Sequence, residues 1–284
     1  MTTFAERLRV LTDESNRLQQ YFEALPAEAW TKPSACTQWQ VQDVVAHLVG
    51  VAEFYAGTVA RGVQGDTAPP AGRAPAGTGT GASAAEGIAQ RSIAARKDLG
   101  DRLLATFAAT GDHLNRTLGS LTPAERKKPC YHPGGMVAAE NFVELRLKEL
   151  GVHEWDVRAG LGPDAHLSAA TFPAILATIS ESIASGSLRW AFWSGPAPTT
   201  ATRYRFAIAG PGPSKPDLVI DGQSVRMEDA GAAPPGTTFH CDTETYILLV
   251  YGRLDLDRSM ASGRLRVEGD VQLARTFGQW FRGI

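Results

Sequence analysis

The sequence predicts an α+β protein with two parts, an N-terminal four-helix bundle and a C-terminal domain of short strands and helices. Three observations predict it. Over roughly the first 165 residues, apolar side chains recur every three or four positions, the spacing of one helix face. After about residue 166, short β-type runs separated by Pro- and Gly-rich turns replace that rhythm. The chain has 284 residues, 43% of them hydrophobic and 20% charged, enough core material for two ordinary domains. The expected division is residues 1–165 and residues 166–284.

The first helix carries Phe4, Leu8, Val10, Leu11, Leu18, Tyr21 and Phe22 and ends near Leu25-Pro26. Thr37-Gln38-Trp39-Gln40 has the form of a capping box, with Thr37 as cap and Gln40 reaching back. Val41, Val44, Val45, Leu48, Val51 and Phe54 then form the stripe of a second helix. Residues 62–87 are Gly, Ala, Pro and Thr around one aliphatic, Val63. Such a segment buries little and predicts a long mobile loop, either a tolerated surface insertion or a lid. A third helix is expected over roughly 88–119, and Leu121-Thr122-Pro123-Ala124-Glu125 reads as a further helix start. After a loop around Pro129, Pro133 and Gly134-Gly135, a fourth long helix is expected from near Val137 to about Gly160. Four helices with one long crossover fit an up-down bundle.

In the second half, Phe172 to Trp193 reads as a helix. Strands are expected at Arg203–Ala209, Leu218–Asp221, Ser224–Glu228 and Thr237–Cys241, and helices at Thr243–Arg253 and Asp270–Arg282.

Charge and cysteine usage narrow the function classes. The formal net charge is −2, from 28 Lys+Arg against 30 Asp+Glu, which argues against nucleic acid as a partner. No continuous apolar run approaches the ~20 residues that span a bilayer, so no membrane association is expected. The N-terminus is amphipathic, with acids early and no apolar h-region, unlike a signal peptide. Cys36, Cys130 and Cys241 are odd in number and far apart, which points to a reducing cytoplasm. None of the three has a recognisable base beside it in sequence.

One constellation carries chemistry. Glu149 and His153 stand at i and i+4 of the fourth helix, so they share a face. His47 sits in an apolar stretch of the second helix. If those helices pack together, two His and one carboxylate can converge on a cation and leave a coordination position open, as catalytic zinc sites do. The bland reading is that a histidine on an apolar helix face is a hydrogen-bonded core residue and that a Glu/His pair is ordinary surface chemistry.

The surrounding residues carry a resemblance. Trp39-Gln40-Val41-Gln42-Asp43-Val44-Val45-Ala46-His47-Leu48 and Glu149-Leu150-Gly151-Val152-His153-Glu154-Trp155-Asp156 resemble the two metal-binding helices of the mycothiol-dependent maleylpyruvate isomerase and mycothiol S-transferase family, part of the DinB-like metalloenzyme superfamily. Leu248-Leu249-Val250-Tyr251-Gly252-Arg253 resembles that family's helix ending in Gly-Arg. Val267-Glu268-Gly269-Asp270 with Leu273-Ala274 resembles its closing segment. The resemblance implies a DinB-like bundle joined to a sterol-carrier-like α+β domain. It implies His47, Glu149 and His153 as ligands of zinc or another divalent transition metal, with mycothiol as the thiol cofactor. It also implies a functional arginine in the second domain, for which Arg253 is the catalytic candidate. Two departures, the 62–87 segment and Ser185–Thr200 with Trp190 and Trp193, weaken any transfer of substrate.

The expected activity is therefore a mycothiol-dependent transferase or isomerase acting on a small electrophilic substrate, in a cytoplasmic monomer or homodimer. Asp43 and Asp156 are candidates to orient the two histidines. Two rivals remain. One is a DinB-like hydrolase activating water, with Glu140, Glu144 or Glu154 as base. The other is a non-catalytic small-molecule binding protein with a structural metal, for which His132 and His113 are available as a fourth ligand.

Overall fold

The computed structural model describes residues 3–78, 81–185, 198–209, 217–222 and 224–281. The chain divides into two compact units, residues 1–79 with 83–178, and residues 80–82 with 179–284.

The first unit is helical. Helices α1 (Phe4–Glu23), α2 (Val41–Val63), α4 (Leu103–Gly119) and α5 (Phe142–Leu161) pack pairwise as a four-helix bundle, and α3 (Gly81–Leu99) precedes α4. α1 starts on a capping box between Thr3 and Glu6, and buries Leu11, Leu18 and Phe22 completely. Phe22 meets Phe107 of α4 edge-on, with ring centroids 5.3 Å apart. α2 is long and apolar enough to cross a membrane by length and composition, but most of that stretch is buried inside the unit, as in a core helix.

Four local expectations are corrected. The cap of α2 is Gln40, not Thr37. Residues 36–39 form a turn closed by Trp39 N–H to Cys36 O (3.1 Å), with Gln38 at φ +72°. That turn takes Thr37 away from the helix end, and Asp43 instead accepts from Gln40 N–H at 2.9 Å. The expected helix over 88–119 is two helices. Gly100 (φ +50°) interrupts the ladder, a conformation that Gly adopts without a Cβ penalty. The 62–87 loop is shorter than expected, because α2 continues to Val63 and α3 begins at Gly81. Its middle is tied down: Tyr131 Oη donates to Ala74 O at 2.7 Å, and the Arg73 guanidinium sits 5.0 Å over the Phe54 ring. Finally, Pro129–His132 and Gly135–Ala138 form an antiparallel hairpin, β1 and β2, where a loop and the start of the fourth helix were expected. α5 begins five residues later than Val137. Thr122 and Glu125 cap each other where a further helix start was expected, but they open only a single 3-10 turn.

α5 is the central element. Fourteen of its residues are buried, among them Arg146, Lys148, Glu149, Glu154 and Asp156. Charged side chains are almost never buried unless paired, so a helix carrying five of them marks a built polar site.

In the second unit, strands β3 (Thr202–Ile208), β4 (Asp217–Asp221), β5 (Ser224–Glu228), β6 (Thr237–Cys241) and β7 (Arg266–Gly269) form one sheet in the order β5-β4-β3-β6-β7. Only β3 and β6 pair in parallel. Tyr204, Phe206, Phe239 and Phe277 pack together as its aromatic core. The four expected strands are present, and β7 with the short α8 (Leu256–Ala261) are additions. α6 (Phe172–Ala184) opens the expected 172–193 helix, whose remainder lies outside the described residues, as do Trp190 and Trp193. α7 (Thr243–Val250) ends in a Schellman motif: Gly252 N–H reaches Leu249 O (3.0 Å) and Arg253 N–H reaches Leu248 O (2.8 Å). α9 (Val271–Trp280) is capped by Asp270.

Candidate metal centre

α2 and α5 pack side by side, and their contact brings the three expected residues together. His47 Nε2 lies 3.2 Å from Glu149 Oε2, and His153 Nε2 lies 3.3 Å from the same oxygen. The two imidazoles meet nearly edge-on, centroids 4.7 Å apart, and Trp39 covers both rings at 5.1 and 6.1 Å. Glu149 and His153 share a face because they are one helical turn apart. His47 completes the set because its neighbours Val44, Val45 and Leu48 are fully buried and hold α2 against the bundle.

Electrostatics sort the three groups. Burial alone would raise the Glu149 pKa. The Lys148 ammonium, and then the two histidines, outweigh it and hold the carboxyl well below its ordinary range. Burial lowers His47, against the opposing pull of Glu149. Burial also works against His153, but its acceptors, Asp156 foremost, raise it well above the ordinary histidine value. Two imidazole nitrogens and an ionised carboxylate oxygen, all within 4.8 Å of one another, form a donor set that fits a small divalent transition metal.

The second sphere differs from expectation at two points. Asp156 does accept from His153 Nδ1, at 2.9 Å, which directs Nε2 to the cluster. Asp43 does not serve His47; it accepts from Gln40 N–H at the start of α2 and pairs with Arg96 Nε at 2.9 Å. In addition, Cys36 has bases beside it after all: its thiol donates to Asp156 Oδ2 at 3.0 Å and lies 3.9 Å from His153 Nδ1. The Pro33–Cys36 loop reaches α5 because Gly160 has no side chain; a Cβ there would stand 2.3 Å from Pro33 O. Cys130 and Cys241 are ordinary buried thiols, pushed up to about 11 and about 12 by burial.

Reading along the chain missed Cys36 and Lys148. Lys148 Nζ lies 2.7 Å from Glu149 Oε1, though adjacent helical residues point about 100° apart and give no pairing signal. The hydrolase bases are all engaged elsewhere. Arg7 pairs with Glu140 (3.6 Å) and with Glu144, and Glu154 is held by Arg17 and by Arg158 (2.8 Å). His113 is exposed on α4. His132, on β1, accepts from Gly134 N–H and packs against Tyr55 and Phe142. Neither joins the cluster. Arg253 belongs to the second unit, half-buried, with Nη1 donating to Tyr251 O at 3.1 Å.

Comparison with known proteins bears on this geometry. Residues 11–158, over half of the chain, match the profile of the family described as Mycothiol maleylpyruvate isomerase N-terminal domain. The chain belongs to that family. With that membership the expectation of an enzyme stands. Residues 196–282 match the SCP-2 sterol transfer family, in agreement with the α+β fold of the second unit. Two crystal structures share the fold of this family member: the mycothiol-dependent maleylpyruvate isomerase (14% identity, TM-score 0.64) and a histidine-to-alanine mutant of that enzyme (14%, 0.62). Each comparison covers 95% of this chain and 98% of the other. No curated protein sequence matches the chain.

Proposed function

We propose that this chain is a metal-dependent enzyme in which His47, Glu149 and His153 hold zinc and mycothiol supplies the nucleophile. The reaction is transfer of the thiol to a small electrophilic substrate, or isomerisation of that substrate. The observation that carries this is the convergence of His47 Nε2 and His153 Nε2, from two helices, on one oxygen of Glu149, in a chain of this family.

When bound, the metal favours a thiolate over a thiol. The residues of the chain do the rest. Asp156 holds the proton of His153 at Nδ1 and keeps Nε2 available. Trp39 covers the two imidazoles and excludes water from that side. A bound thiolate would supply the nucleophile: in isomerisation it would add to an activated alkene and, after rotation about the resulting single bond, be expelled again as thiolate; in transfer it would displace a leaving group and stay on the substrate. Arg253 is proposed to clamp an anionic group of the substrate bidentately. Residues 1–165 are proposed as the metal-binding domain and 166–284 as the second domain, in a cytoplasmic protein whose three cysteines form no disulfide. The arginine pairing of Glu140, Glu144 and Glu154 disfavours each of them as the base of a hydrolase and so supports thiol chemistry.

The test is titration of cobalt-loaded protein with mycothiol. A sulfur-to-cobalt charge-transfer band is expected, absent in His47→Ala. Cobalt binding with no such band overturns the thiol reading, and no cobalt binding overturns the metal reading. Arg253→Lys is expected to leave the band intact and raise KM for an anionic electrophile.

A further inference from the structure

The Glu149 carboxylate is divided between two kinds of partner. Both histidines approach Oε2, while Oε1 is taken by Lys148 Nζ at 2.7 Å. Lys148 is 3% exposed and belongs to a helix that also buries Arg146 (1% exposed), so the cationic charge beside Glu149 is built into the core rather than borrowed from the surface. Such charge opposes a bound cation. What Lys148 contributes to a metal site is therefore geometric, not attractive.

We propose that Lys148 is a positioning residue that reserves Oε1 of Glu149, makes Glu149 a one-oxygen ligand, and so sets which divalent cation the site prefers. This rests on the metal reading above. With Oε1 engaged, the protein offers two nitrogens and one oxygen, and no second carboxylate oxygen. Zinc and cobalt are satisfied by a small ligand number with imidazole donors. Manganese, which favours oxygen donors, loses the second carboxylate oxygen it would use. Without the ammonium, Glu149 can turn both oxygens to the metal, and discrimination narrows.

The experiment uses the full-length protein and metals alone, with no substrate. Zinc and manganese affinities are measured by competition with a chromophoric chelator, and the visible spectrum of the cobalt form is recorded, for wild type, Lys148→Met, Lys148→Gln and Lys148→Arg. His47→Ala is the control. The expected result is a zinc-over-manganese ratio at least ~10-fold lower in Lys148→Met, the scale of outer-sphere effects at metal sites. Its cobalt bands should also weaken towards higher coordination. Lys148→Arg, which keeps a cationic donor, restores both readouts. If Lys148→Met does not fold, Lys148→Gln carries the same expectation. A ratio and spectrum unchanged from wild type in a folded Lys148→Met or Lys148→Gln protein overturns the proposal and leaves the metal reading standing. A wild type that takes up no cobalt, or a His47→Ala protein that still binds it, overturns the metal reading and this proposal with it.

Discussion

Cys36 and Asp156 lie 120 residues apart and meet thiol to carboxylate at 3.0 Å. The oxygen that accepts from Cys36 also accepts from His153 Nδ1. A loop before α2 is thereby joined to the orientation of a candidate ligand on α5. Ala35 N–H to Asp156 O, 2.9 Å, adds a backbone link between the same two segments.

That chain of contacts predicts graded losses. Asp156→Asn removes the charged acceptor that directs the His153 ring, and zinc affinity is expected to fall ~10–100-fold, as for other outer-sphere partners of metal ligands. Cys36→Ala removes one donor to Asp156 Oδ2 and leaves the ring contact, so the loss should be smaller than for Asp156→Asn. Chelator competition on the two purified variants measures both.

Gly160 is the point where the loop rests on α5. A methyl group there meets Pro33 O and Ser34 Cα, which are backbone atoms that cannot rotate away. Gly160→Ala is expected to cost ~1–3 kcal/mol, the usual range for overpacking. Urea unfolding followed by circular dichroism reads the loss. Zinc affinity should fall with it, since the displaced loop carries Cys36.

Gly252 has φ +64° at the end of α7. Any L side chain is strained there, and Gly252→Ala should destabilise the second unit by ~1 kcal/mol. The expected readout is a lower midpoint of the unfolding transition. The Gly-Arg pair thus has a structural reason for its glycine: the Schellman motif fixes where the Arg253 backbone leaves the helix.

His132 gives a pH prediction. Burial first, and then the Lys148 charge, push its pKa down to about 3 from an ordinary 6.5. As pH falls through that window, the unfolded chain takes up a proton at His132 that the folded chain refuses. The contribution of His132 to stability is therefore full above about pH 6.5 and declines towards pH 3. His132→Asn abolishes this uptake. A shallower fall of unfolding free energy between pH 6.5 and pH 4 is expected, by denaturant titration of chelator-treated protein.

Much of this was legible in the chain itself. The apolar stripes of α1, α2 and α4 are local periodicities, and each marks a face that has to be buried whatever partner covers it. The pairing of Glu149 with His153 follows from the helical repeat, and the strands from Arg203 to Cys241 follow from short β-type runs set between turn residues. By contrast, the β1–β2 hairpin is short and Gly-rich, so it carries no periodic signal. The break at Gly100 is one residue in an otherwise helical pattern. The cap of α2 moved three residues because the Cys36–Trp39 turn competes with Thr37 for the same backbone.

Taken by itself, the sequence determined the helical bundle, the α+β second half and the i, i+4 carboxylate–imidazole pair, because these depend on spacing along one element. Only the tertiary structure decided that His47 reaches the same oxygen as His153, that Lys148 takes the other one, that Asp43 turns to Gln40 and Arg96 rather than to His47, and that Cys36 lies on Asp156. Those contacts join residues on different elements, or adjacent residues whose helical directions diverge. They exist because α5, with fourteen of its twenty residues buried, carries charged side chains into the core, where each must find partners.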